Sequence, residues 1–101
     1  METIAARDLI LVNPDGEHRA LPLCIGKPYE VSNLEWACPV QAEAIGIAAE
    51  SIQGVDSFQA LMLALDTIRQ VMLNLSQEGF VFLNAEDNSP VDVVQLFQSG
   101  A

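Results

Sequence analysis

The stretch GVDSFQALMLALDTIRQVMLNLSQEG, Gly54–Gly79, decides the architecture of this 101-residue chain. It reads as one long helix. Asp56 stands at the N-cap, and Gln59, three residues on, completes a capping-box pattern. Gly79 supplies a left-handed stop. At ~1.5 Å per residue, Ser57 to Glu78 spans about 33 Å. With about 100° of turn per residue, Phe58, Leu61, Met62, Leu65, Ile68, Met72 and Leu75 cluster on one side. Ala60, Ala64 and Val71 widen that arc to roughly half the circumference, more than a core-facing stripe needs. Gln59, Asp66, Thr67, Gln70, Asn74 and Gln77 form the opposite side, with Leu63 among them. Two arrangements account for so wide an arc. Either the helix lies in a groove between a sheet and a second element, or part of it meets another chain. The apolar stretches FVFL and SPVDVVQLFQ that follow need something to pack on, which favours the first.

Upstream, RDLILVN (7–13) has the length and branching of a strand. NPDG (13–16) suits a type I turn with a bulge, Gly16 taking positive φ. The chain then returns through EHRALPLCIG, giving a β-hairpin over 7–26. Pro22 cannot donate to a ladder and places its strand at an edge or a bulge. GKPYEVSN reads as a connection. LEWACPV alternates, with Leu34, Trp36, Cys38 and Val40 on one face and Trp36 as the largest core contributor. QAEAIGIAAESIQ is open between an extension of the sheet and a short helical turn. Near the C-terminus, NAEDNS is a loop, after which Ser89 suits an N-cap and Pro90 a first helical residue. Val91, Val94 and Leu96 or Phe97 are then the buried side. The expectation is one α+β domain over 1–101. It has a small antiparallel sheet of three to four strands, the long helix packed on one face, and a short C-terminal helix.

Fourteen acids face four bases (Arg7, Arg19, Lys27, Arg69), a net charge of −10. Such a surface repels nucleic acid and anionic membranes, since both are bound through Lys and Arg. It suits solubility, or the capture of a basic partner by charge complementarity. No apolar run approaches the ~18 residues of a membrane span. The N-terminal METIAARDLILV carries an acid where a signal peptide wants bases, so the expected location is cytoplasmic.

Chemistry is sparse. His18 is the only histidine, set just past the hairpin turn at an exposed position. Cys24 lies six residues along a strand from it, about 20 Å, beyond reach. Cys24 and Cys38 form no CxxC, and a disulfide requires their strands to lie side by side. One histidine and two dispersed cysteines make no zinc set, and PDGE and AEDNS lack calcium-loop spacing. No glycine-rich nucleotide fingerprint is present. The residues point to no enzyme, no metal and no cofactor.

The combination of DLILVNPDG, EWACPV and GVDSFQALMLAL resembles a family of short bacterial proteins with a domain of unknown function. Its most specific part is W-x-C-P followed by G-x-D-S-x-Q-A-L. The resemblance implies no activity and brings no catalytic residue. In size, acidity and build the chain is also similar to immunity proteins that neutralise bacterial toxins. Two functions follow as expectations. One is a non-catalytic module that binds a protein, such as a basic toxin domain. The other is a structural homodimer built on the helix arc and the strand near Pro22. Exposed candidates for partner contact are the turn acids Asp15 and Glu17 and, on the helix, Gln59, Leu63, Asp66 and Gln70.

Overall fold

Asn13 closes the first hairpin. In the computed structural model, which describes residues 1–98, strand β1 (Thr3–Val12) pairs antiparallel with β2 (His18–Gly26). The amide of Asn13 donates to Glu17 O at 3.0 Å, and Gly16 N donates back to Asn13 O at 2.9 Å. Asn13 Oδ1 also accepts from the amides of Asp15 and Glu17, a side-chain turn laid over the backbone one. Gly16 sits at φ +88°, so the type I turn and its bulge form as expected.

Five further strands join the sheet: β3 (Tyr29–Ser32), β4 (Glu35–Ala42), β5 (Ile47–Gly54), β6 (Val81–Asn84) and β7 (Pro90–Val91). The order is β3-β4-β2-β1-β6-β7, with β5 paired to β4, and every pairing is antiparallel. β5 runs along one edge of β4 from Trp36 to Ala42, while β2 and β3 share the other edge. Seven strands among the described residues correct the expected three to four. The β3 segment reads in sequence as a connection and β7 as helix, while the β5 segment is open between sheet and helical turn. β3 alternates, Tyr29 and Val31 against Glu30 and Ser32, but it has four residues, all exposed. β5 is interrupted near its start, where Ala48 and Ala49 stand opposite Gln41 alone and Ala49 takes φ +52°. A 3-10 turn, Glu43–Ile45, leads into it through Gly46 at φ +88°. β7 has two residues, taken from a segment read as helix. β2 is an interior strand of the sheet, but at Pro22 its outer side is an open edge, as the missing donor requires. The partner of Pro22, Asp8, falls in the non-hydrogen-bonded register, so the proline nitrogen faces away from β1, along a length of β2 that β4 does not reach.

Helix α1 (Ser57–Gln77) packs on this sheet. Asp56 Oδ1 accepts from Gln59 N at 2.7 Å, and Gln59 Oε1 accepts from Val55 N at 2.8 Å, one residue before the usual capping-box amide. At the far end Phe80 N donates to Leu75 O and Gly79 N to Ser76 O, with Gly79 at φ +96°. That is a Schellman stop, and half-buried Leu75 and Phe80 supply its apolar contact. The short helix α2 (Val93–Leu96) begins later than expected. Its N-cap is Asp92, whose Oδ1 accepts from Val94 N and Gln95 N. Val93 is therefore the buried residue and Val94 is exposed.

The core lies between α1 and one face of the sheet: Leu9, Leu11, Leu21, Leu23, Ile25, Val40 and Phe82 below, Ala60, Ala64, Ile68 and Met72 above. Trp36 is only half-buried, and Phe82 is the largest fully buried side chain. Leu34, expected beside Trp36, is exposed in the β3–β4 turn at φ +59°. The helix reading needs a sharper correction. Phe58 is 73% exposed, Met62 51% and Leu65 36%. The fully buried residues of the first turns are small, Ala60 and Ala64, and Ala60 lies over Gly54, where an added Cβ would be 2.5 Å from Ala60 N. Seated so low at Gly54, α1 takes only Ala60, Ala64 and part of Leu61 against the sheet in its first turns, and Phe58 and Met62 are left out. They point along the flank instead.

Candidate functional site

Arg7 continues the alternation of Leu9 and Leu11 and so leaves β1 on the helix-bearing face. Beside it runs a groove of about 430 Å³. Ala5, Leu23 and Ile25 form its floor, Leu65 and Ile68 of α1 one wall, and Leu96 and Phe97 at the end of α2 the other. On the far side of Arg7 a polar cleft of about 720 Å³ is bordered by Asp8, Asn84, Glu86 and Asp87.

The guanidinium Nη2 of Arg7 donates to Asn84 Oδ1 at 3.1 Å. Asn84 is held in turn, its Nδ2 donating to Ser89 Oγ at 2.9 Å. Ser89 then gives both its hydroxyl (2.7 Å) and its amide (2.9 Å) to Asp87 Oδ1. Those two bonds, the hydroxyl foremost, hold the Asp87 carboxyl below the usual carboxylate range. The tight β6–β7 loop makes the relay: Asn84 N donates to Ser89 O, and Asn88 takes φ +59°. Among the described residues Arg7 has no ion-pair partner, the one salt bridge being Arg69 with Asp66 at 2.6 Å.

No group of three or more His, Cys, Asp or Glu side chains is placed to hold a metal among the described residues. His18 borders a shallow hollow with Leu11, Glu17 and Phe80, apart from both cysteines. Cys24 pairs with Gln41 across β2 and β4, which sets it on the sheet face opposite Cys38. Both thiols are free. Cys38 is fully buried, its Sγ donates to Gly26 O at 3.4 Å, and burial pushes its pKa up. A chromogenic disulfide reagent should therefore titrate Cys24 in the native protein and reach Cys38 only after unfolding in urea. Rapid reaction of both sulfurs in the native state would contradict this burial.

The six expected contact residues do not converge. Asp15 and Glu17 lie exposed at the hairpin tip, next to Pro14, whose ring approaches Gly79 at the C-terminal end of α1. Gln59, Leu63, Asp66 and Gln70 run along about three turns of the helix from its other end. Gln59 is engaged in the cap and Asp66 in its ion pair. Sequence reasoning missed Phe58, Met62 and Leu65 as surface residues. The available signal was the Ala60–Ala64 spacing just after Gly54.

No helix among the described residues is long and apolar enough to cross a membrane. Comparison with curated proteins and with solved structures finds no match. The family model for a domain of unknown function, DUF6968, matches residues 5–89. The chain belongs to that family.

Proposed function

We propose that this chain is a non-catalytic module that binds a protein partner through the exposed flank of α1. The observation that carries the reading is the exposure of Phe58, Met62 and Leu65 at i, i+4 and i+7 of one helix. Contiguous apolar surface of this kind marks interaction sites, and aromatic residues and Met are the types enriched there. The charge of −10 suits a basic partner, and neutralisation of a basic toxin domain, as an immunity protein does it, is the concrete form. One observation favours a homodimer as second reading. β5 pairs only with β4, leaving an edge over 50–54 on which another strand can add.

Titration calorimetry of the full chain against the product of the adjacent gene tests the first reading. The double variant Phe58→Ser, Met62→Ser should bind at least about tenfold more weakly, as loss of a central anchor does. Its own folding free energy should move by no more than about 1 kcal/mol, since both side chains are exposed. Undiminished binding by the double variant, or no binding by the wild type, would remove the proposal. Light scattering across a concentration series addresses the second reading, which a monomer throughout would end.

A further inference from the structure

We infer that the groove between α1 and α2 binds a carboxylate carrying an apolar tail, with Arg7 holding the carboxylate. This site is separate from the protein-binding flank, although Leu65 borders both. At about 430 Å³ the groove has the size of a small-ligand pocket. Its described lining is apolar except for Arg7 and Gln98. The chain has fourteen acids and four bases, yet among the described residues this groove is bordered by one base and no acid.

Arg7 is poised for an anion. Its hydrogen bond goes to a neutral acceptor, Asn84, itself held by Ser89, so the guanidinium is oriented without being tied into an ion pair among the described residues. The remaining N–H fork suits a carboxylate, which takes two parallel bonds from one guanidinium. Pre-organisation lowers the ordering cost of binding. The apolar walls set the rest of the ligand. Leu23, Ile25, Leu65, Ile68, Leu96 and Phe97 offer no partner to a hydroxyl or amide, so a polar tail loses its hydration without compensation. A single carboxylate also meets the repulsion of the acidic surface with the least charge, where a phosphate carries more. The opposing influence is the far cleft, where Asp8, Glu86 and Asp87 border the other side of Arg7 and favour a cationic head.

Head-group chemistry decides between them. Titration calorimetry of the full chain would use decanoate, decyltrimethylammonium and 1-decanol, each below its aggregation or solubility limit and at one ionic strength. Decanoate is expected to bind saturably, one per chain, and more tightly than the other two. Arg7→Gln should weaken decanoate at least about tenfold, the worth of a charge-assisted bond, and leave decanol unchanged. Arg7→Lys, which keeps the charge without the fork, should fall between. Leu65→Asn should weaken all three amphiphiles. Methyl resonances of Leu65, Ile68 and Leu96 should shift on decanoate addition to the wild type, a readout independent of any variant's folding. Three outcomes overturn the inference. They are a cationic amphiphile binding as tightly as decanoate, Arg7→Gln leaving decanoate unaffected, or decanoate producing no saturable heat and no methyl shifts. The Phe58→Ser, Met62→Ser variant should bind decanoate normally, so failure of either site is distinguishable from failure of the other.

Discussion

Phe82→Ala is expected to destabilise the fold by about 3–5 kcal/mol, the cost of deleting a buried aromatic ring and leaving its cavity. Phe82 is 2% exposed and is the largest of the fully buried side chains. It stands on β6 between Leu11 of β1 and Val91 of β7, on a strand reached only after α1 has crossed the sheet. No other aromatic side chain in the described residues is fully buried. Trp36, Phe80 and Phe97 are half-buried, while Tyr29 and Phe58 face solvent. The loss would consume a large part of the roughly 5–15 kcal/mol that small domains possess. At ~4–8 °C per kcal/mol it corresponds to a fall in Tm of roughly 12–40 °C. Urea unfolding monitored at Trp36 measures it, with the m-value checked for constancy. A change below about 1 kcal/mol, the central value for unselected point mutants, would mean that the core does not close around β6.

The parts of this architecture legible in sequence are those whose signals are local. NPDG dictates its turn because Pro14, Asp15 and Gly16 each suit one backbone position, and Asn13 adds its own side-chain bonds. Both ends of α1 were readable for the same reason, from Asp56 and Gly79. Strand β5 was not. The interruption at Ala48 and Ala49 breaks the period of two, and a strand with four consecutive exposed residues at 48–51 shows no alternation. The orientation of α1 failed on a different principle. Counting large apolar residues locates a buried face only when the helix stands far enough from the sheet to admit them. Here Ala60 and Ala64, both fully buried, set the approach. The groove was beyond reach of any local pattern. Its lining comes from 5–7, 23–25, 65–68 and 96–98, four segments joined only by the fold. In the linear chain Arg7 is merely one base among four.

Gly54→Ala tests that close approach directly, and its expected sign is opposite to the usual one. Gly54 does not lie in the left-handed region, and alanine at such a position ordinarily stabilises by about 0.4–1 kcal/mol through the unfolded chain. Here a Cβ would lie 2.5 Å from Ala60 N, 2.9 Å from Ala60 Cα and 3.0 Å from Gln59 C. All three are backbone atoms and cannot swing aside. The first turn of α1 must lift from β5, and overpacking of this kind costs about 1–3 kcal/mol. Hydrogen exchange should locate the loss, with amides of the first two turns of α1 and of β5 exchanging faster than those of the β1–β2 hairpin. Partner binding should weaken as well, although Gly54 touches no partner, because the seat on Gly54 is what turns Phe58 and Met62 outward. A neutral or stabilising Gly54→Ala would mean that the helix stands off the sheet at its N-terminus. Phe58 would then have room to turn inward, and the exposed flank would lose its cause.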